Sequence, residues 1–589
     1  TIAGATTSLD MGSTTFPREM RGDMTVSSSG TLYLSSGFGG DLYIKGNWTR
    51  SAAGSFNPRT RAVRFNGTSG NQTITRTGGG TETFAYMLID KSAGQAVVLA
   101  GALNPTTVTV EGFGGNNILQ LINGDLDLNQ QTFNFTSYFN SNQNNLGIDG
   151  SIGNLTRNII STGGAGTFAV FNSNASTRNI TINRINGANA SLLVVGPTVI
   201  MTTGAIAGGF GGINFGNNLT TINGTLQINA RGFVTGFAPT YGTNSNLVYN
   251  VGSTFDRNVE WGATSGAGYP YNVTVQGATS IRLNTPAING DANRAIAGNL
   301  TITNTSSLLL STTAANTLTV AGNLQLDGTL TLPTVAGGDL RLGGNWNRSS
   351  TGVFVPNDRA VFFIGSGNST ITANNGQLFP YLYLTKNALG NTLSLVDSIS
   401  ISKEFGITTG TFELGSKNAT LLSDAGGTAS FGKVGASGDV SYSSTGRFVV
   451  ERYIPTGTSG GQHLKSWQFL AVPTNGGQTV NAAWQEGAAS ANQDNKSGYG
   501  TQITSSVLPL AATFDAYSPG GPSMKTYLPA SNAWLGISNT TSTALFNKKG
   551  YLVFVRGDRS VINFSGPNST AIPTNLRSTG KLFVPGSNP

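Results

Sequence analysis

The sequence predicts an all-β protein: a parallel β-solenoid (β-helix) over residues 1–440, then a smaller, mostly β domain over residues 446–589. Three observations predict it. Short apolar alternations such as Thr107-Val-Thr-Val110 and Asn299-Leu-Thr-Ile302 recur throughout, and no window carries apolar residues at helical spacing. Asn and Gly, which tolerate the left-handed backbone of a tight corner, separate the alternations. A long segment also repeats: Gly30–Gly67 aligns without a gap on Gly328–Gly365, 298 residues further on.

In that repeat Leu32 and Leu34 fall on Leu330 and Leu332, and Trp48 falls on Trp346. Alternation puts each Leu pair on one face of a strand, with Thr31 and Tyr33 on the other. A shorter pattern, Gly-x-apolar-x-apolar, starts at Gly30, Gly124, Gly224, Gly328 and Gly410, at spacings of 94, 100, 104 and 82 residues. It predicts a sub-repeat near one hundred residues inside the longer one. The alternative architecture is a string of tandem β-sandwich modules, each closing its own core. Short uniform strands, drifting repeat spacing and the absence of linkers favour the solenoid, whose insertions fall at coil corners.

Composition agrees. The chain has 589 residues with 81 Gly, no Cys and only 10% charged residues, which excludes disulfides and thiolate metal sites. Its net charge of +8 comes from scarce acids rather than from a basic run, and nucleic-acid binding needs clustered cations. No apolar run reaches the roughly 20 residues of a helical membrane span. The low-charge, Thr/Asn/Gly-rich composition points to an extracellular or cell-surface location. The sequence starts at Thr1 without Met or signal peptide and ends at Gly586-Ser-Asn-Pro589, which reads as part of a longer exported protein.

Near 431–446 the sequence turns small and polar, and beyond it the repeats stop. Phe448-Val-Val-Glu-Arg-Tyr-Ile454, Ser466-Trp-Gln-Phe-Leu-Ala-Val472 and Tyr551-Leu-Val-Phe-Val555 are denser strands, and Ala482-Ala-Trp-Gln-Glu486 has the pattern of one helical turn. This region is expected to form a sandwich that caps the solenoid's open strand edges. Together with Phe379-Pro-Tyr-Leu-Tyr-Leu384, Gly298-Asn-Leu-Thr-Ile302, Gly344-Asn-Trp346, Trp484-Gln-Glu-Gly487 and Gly550-Tyr-Leu-Val-Phe-Val-Arg-Gly-Asp558, these segments resemble large repeat-bearing cell-surface and secreted proteins of Bacteroidota. The resemblance implies export by the type IX secretion system and contact with its surface-retention machinery, and it specifies no activity. The sorting domain that usually ends such proteins is not seen after Gly580.

Chemistry-bearing residues are few. His463 is the sole His, so no multi-histidine metal site exists, and a lone loop His reads as structural. Asp125 and Asp127 alternate with the inward Leu126 and Leu128 and are expected to face outward, as a solvated pair or weak Ca²⁺ candidates. No other cofactor is expected. The Gly-rich run Gly208–Gly216 lacks the Asp ladder of calcium-binding repeats and the Lys of a phosphate loop, and reads as a corner or exposed loop. Arg21-Gly-Asp23 reads as a turn before a strand. Asp41/Asp339, Asn47/Asn345, Arg50/Arg348 and Trp48/Trp346 recur in register and read as the same structural solution used twice. Trp467, Trp484 and Trp534 are candidate glycan contacts, and Ser398 in Asp397-Ser-Ile399 is a candidate O-glycosylation site of the kind the resemblance implies.

The expected function is therefore a non-catalytic structural or adhesive surface protein: a stalk, fibre subunit or adhesin. It would act through a rigid β-rod and multivalent polar contacts to polysaccharide or another surface ligand, with self-assembly into fibres through open strand edges. The alternatives are a carbohydrate-active β-helix enzyme (a polysaccharide lyase or hydrolase) and a carbohydrate-binding protein. The enzyme needs clustered acids or paired carboxylates, and neither copy of the long repeat carries them.

Overall fold

The computed structural model describes residues 1–582 except 5, 101–105, 112–116, 137–143, 152–154, 173–176, 188–190, 206–207, 218, 286–289, 312, 375, 458–463, 476, 506–512, 517–520, 547 and 561–570. His463 lies outside the described residues. The protein is nearly all β, with 52% strand and 2% helix, and forms a parallel β-solenoid of about 16 turns with smaller sheets in its C-terminal part. Two compact units divide it: Thr1–Gly338 with Thr351–Val355, and Asp339–Ser350 with Pro356–Pro589.

In the first unit three short strands make a coil, and each strand pairs in parallel with its counterpart in the next. One ladder runs from Ile2–Ala3 to Thr240–Tyr241, and another from Arg18–Met20 to Gly232–Thr235. Period-two alternation turns one side of every strand inward, so the inward residues of successive coils stack. The column Phe84, Val110, Phe135, Val170, Thr203, Ile228, Tyr249, Val275, Ile302 and Leu326 is joined pair by pair in strict register, and every member is buried. Each large aliphatic side chain in it stabilises the fold by roughly 1.5–3 kcal/mol relative to exposure. Thr203 interrupts the apolar run, and its hydroxyl is satisfied by donating to the Gly211 carbonyl at 2.6 Å.

The pairing distances reveal the true repeat. Val26 pairs with Arg50, and Trp48 with Ile74, so one coil spans about 25 residues. The hundred-residue spacing is not a structural module. Gly124 leads a strand of the first ladder (Asp125–Asp127), whereas Gly224 and Gly328 lead strands of other sheets. The five glycines fall into two kinds. A Cβ on Gly30, Gly224 or Gly328 would meet a carbonyl oxygen of the preceding coil at 2.7, 2.3 or 2.2 Å. Gly124 and Gly410 instead have positive φ (+77° and +105°) and lie against the side chains of Lys91 and Lys386.

Asn and Asp close the corners by accepting the backbone N–H of the following coil. Asn47 accepts from Thr73 and Asn345 from Thr370, at 2.8 and 2.9 Å. Asp41 accepts from Ala62 and Asp339 from Ala360, both at 2.9 Å. Asp23, at the end of the exposed Arg21-Gly-Asp23 turn, accepts from Asn47 at 2.7 Å. The recurring polar residues are thus stitches between coils, and a buried N–H left without one would cost about 1–3 kcal/mol. The Gly-rich run differs from its expected loop. Gly211–Asn214 is a strand, because Gly212 leaves room for the Phe233 ring, which a Cβ would meet at 2.3 Å.

The second unit continues with parallel ladders, from Leu340–Leu342 through Ala360–Phe363 and Gln377–Thr385 to the long strand Ile399–Glu413. That strand pairs with Ala419–Leu421, which pairs with Phe448–Ile454. The direction then reverses: Thr574–Leu582 lies antiparallel on Phe448–Ile454 over seven residue pairs and covers the edge of that ladder. The C-terminal residues form a core of Ile454, Val472, Val480, Trp484, Ile503, Phe514, Met524, Tyr551, Val553 and Leu576, among others, to which these two strands contribute Ile454 and Leu576.

Candidate functional site

Above that core lies a four-stranded antiparallel sheet in the order Ser466–Leu470, Tyr551–Val555, Met524–Leu528, Ala533–Gly536. Val553 and Met524 pair with each other and point into the core, both fully buried. Alternation then sends Leu552, Phe554, Lys525 and Tyr527 to the opposite face. Trp467 pairs with Phe554 and Phe469 with Leu552, and Trp534 pairs with Tyr527, so they share that outer face. The face is solvent-exposed: Trp467 by 44%, Phe469 by 78% and Trp534 by 42%. Burying these rings in a complex would remove a large apolar area from water, whereas single exposed apolar residues carry no such meaning.

The rings are braced. Trp467 stands edge-on to Phe554, centroids 5.4 Å apart, with the Lys525 ammonium 5.0 Å from the Trp467 ring centre. Trp534 packs between Phe469 (5.9 Å) and Tyr527 (5.3 Å). The Tyr527 hydroxyl donates to Asn532 Oδ1 at 2.6 Å, and Asn532 sits in the left-handed turn that joins the two strands. The Arg556 guanidinium lies 5.0 Å from the Phe554 ring.

A buried ion pair fixes the loops beneath. Arg559 and Asp515 are 1% and 0% exposed, and Asp515 also accepts from Gln485 Nε2, Ile503 N and Asn492 N at 2.9, 2.8 and 2.7 Å. The helix Val480–Trp484, capped by Thr479 accepting from Ala482 N, packs Trp484 into the core at 3% exposure and edge-on to Tyr551. Of the three candidate glycan-contact tryptophans, the structure brings Trp467 and Trp534 onto one surface and removes Trp484. Phe469, Lys525, Tyr527 and Phe554 were not singled out in the sequence. Trp467-x-Phe469 shows the alternation that reveals them, but alternation does not tell which face is inward.

The other sequence candidates take structural places. Leu32, Leu34, Leu330, Leu332, Trp48 and Trp346 are buried, so neither recurring Trp can present a ring to a ligand. Trp48 packs edge-on to Phe56 and Phe84, and Trp346 to Phe379. Asp125 and Asp127 do not form a solvated outward pair. Asp127 is buried and accepts from Asn129 N, Thr162 N and Thr162 Oγ1, because the chain turns at Asn129 and Gln130 (φ 43° and 66°) and folds the carboxylate under the corner. Asp125 accepts from Asn158 N and Nδ2, and burial raises its pKa. Among the described residues no group of three or more His, Cys, Asp or Glu could hold a metal ion. Ser398 is exposed, and its Oγ accepts the Asn418 N–H at 3.1 Å.

Among the described residues the first unit has at least two clefts. One, of about 470 Å³, is lined by Arg50, Phe56, Arg59, Thr83 and Glu111 among others. Burial raises the Glu111 pKa. Glu82, fully buried in the strand paired with Thr106–Val110, has its pKa raised by burial against the opposing pull of Arg50, which binds it at 2.7 Å. The other cleft, of about 690 Å³, is lined by Phe210, Arg231, Phe233, Phe255 and Asp256 among others. Glu260 is fully buried, with Tyr249 donating to it at 3.0 Å. No protein-family model, no curated protein and no solved structure matches the chain.

Proposed function

We propose that the chain is a non-catalytic, extracellular structural or adhesive surface protein (a stalk, fibre subunit or adhesin) whose stacked coils carry a C-terminal contact surface for polysaccharide. Export by the type IX route of the Bacteroidota proteins it resembles belongs to the same proposal. The observation that carries the reading is the braced, exposed aromatic face around Trp467 and Trp534. Aromatic rings held with one side open offer an apolar platform at low entropic cost. The coils supply support: their recurring Asp and Asn side chains are engaged in stitching one coil to the next. Many outward Thr, Asn and Ser side chains add weak polar contacts, and repetition converts these into avidity.

The enzyme reading has one specific observation in its favour, the 470 Å³ cleft with Glu111 and two arginines. Among its described lining residues Glu111 is the one carboxylate, whereas hydrolysis by the usual route uses a pair. The test is incubation of the chain with soluble polysaccharides while reducing ends and unsaturated products are followed. The proposal expects retention of glycan without product. Product formation that is lost in E111Q overturns it in favour of the enzyme.

A further inference from the structure

The aromatic face carries charge of one sign. Lys525 occupies the centre of the sheet's outer face, between Leu552 and Gly536 in the pairing, with its ammonium over Trp467. Arg556, which follows the strand Tyr551–Val555, is buried: its guanidinium lies 5.0 Å from the Phe554 ring and bonds to Gln502 O and Thr504 Oγ1, so it is not offered to a ligand. Lys548 and Lys549 are exposed in the turn that enters the same strand. None of the four strands contains Asp or Glu. The nearest carboxylates in sequence are committed elsewhere: Asp515 to Arg559, Glu486 to Arg577, and Asp558 to Gly498 N and Ser560.

A neutral glycan gains from rings but gives Lys525 no anion to pair with, and covering Lys525 would desolvate its charge without compensation. An anionic sugar chain supplies both partners. Its ring faces lie on Trp467 and Trp534, and its carboxylates or sulfates meet Lys525. Resting on the polysaccharide contact proposed above, we infer that the platform selects acidic polysaccharides, polyuronates or sulfated glycans, over neutral ones. The fixed rings argue for a sugar over an anionic bilayer. Tyr527 is tethered through Asn532, and Trp534 is wedged between two rings. A sugar requires such fixed orientation, and insertion among lipid headgroups does not.

The test uses the full chain in titrations against polygalacturonate, against the same polymer fully methyl-esterified, and against phosphatidylglycerol vesicles. The expected result is binding to polygalacturonate that weakens between 0.1 and 1 M salt, as the screening length falls from about 10 to about 3 Å. Esterification and K525Q should each weaken it, K525Q by up to about fivefold, the scale of one exposed ion pair. W467A/W534A should remove it. Equal, salt-independent binding to the esterified polymer overturns the selectivity but leaves polysaccharide contact standing. Binding to neither polymer overturns both. Binding to vesicles in place of polymer overturns both in favour of a membrane surface.

Discussion

Asn299 is held from one side and holds the other: its N–H donates to Asn272 Oδ1 at 2.9 Å, and its own Oδ1 accepts the Asn323 N–H at 2.8 Å. Three coils are joined by one residue type at one corner. Replacing Asn299 by Ala leaves the Asn323 amide without its acceptor. N299A is expected to destabilise the first unit by about 1 kcal/mol. Denaturant unfolding measures it, and N47A should lose a similar amount because Asn47 stitches Thr73 in the same way.

Gly328 and Gly367 separate close approach from mere turn composition. A Cβ on Gly328 would lie 2.2 Å from Ser306 O and 2.4 Å from Thr303 O, whereas one on Gly367 meets nothing within 4 Å. G328A is expected to cost on the order of 1–3 kcal/mol as the coil shifts, and G367A to be nearly neutral. Thermal unfolding of the two variants checks the contrast.

Lys386 gives the fold an alkaline response. Its ammonium is buried and bonds to neutral acceptors, the Ile364 and Gly367 carbonyls at 3.0 Å and Ser369 Oγ at 2.6 Å, and burial lowers its pKa to about 8. The unfolded chain therefore binds the proton more tightly than the folded one between pH 8 and 10.5. Stability should rise as pH rises through that window. Tyr442, raised to about 12 by burial, works in the opposite direction above pH 10, so the rise is read between pH 8 and 10. In K386M that rise should shrink, and at pH 7 the variant should be less stable by about 1–3 kcal/mol, because carbonyls lose their donor. Unfolding midpoints at pH 7, 8, 9 and 10 supply the comparison.

Asp515 and Arg559 hold the loops under the aromatic sheet. D515A strands the Arg559 charge in the interior, and such changes cost about 3–5 kcal/mol. Near-ultraviolet circular dichroism, to which Trp467, Trp484 and Trp534 contribute beside the buried Trp48, Trp261 and Trp346, should show a first change at lower denaturant concentration. The far-ultraviolet signal of the coils should hold to higher concentration.

Much of the fold was legible because a solenoid repeats its instructions. Leu32/Leu34 and Leu330/Leu332 alternate as inward pairs must, and Asn47 and Asn345 recur because every corner needs an acceptor. The coil length was not legible. The Gly-x-apolar-x-apolar pattern marks both a close approach, at Gly328, and a left-handed turn over a buried lysine, at Gly124 and Gly410. Its spacing therefore joins unlike faces. Asp127 was misread because alternation holds only within a strand, and the strand ends at Asp127. For the site, composition pointed to tryptophans but could not sort them. Trp484 enters the core from a one-turn helix, while Trp467 and Trp534 lie on a face whose inward side is set by Val553 and Met524, residues distant in sequence.

The most direct measurement of the central claim is the affinity of the full chain for an immobilised acidic polysaccharide, wild type against W467A/W534A, with folding verified by circular dichroism. Adhesion through this face predicts that the double variant loses binding by a factor on the order of thirty or more, the scale of two aromatic anchors. Unchanged binding in a folded double variant would contradict it.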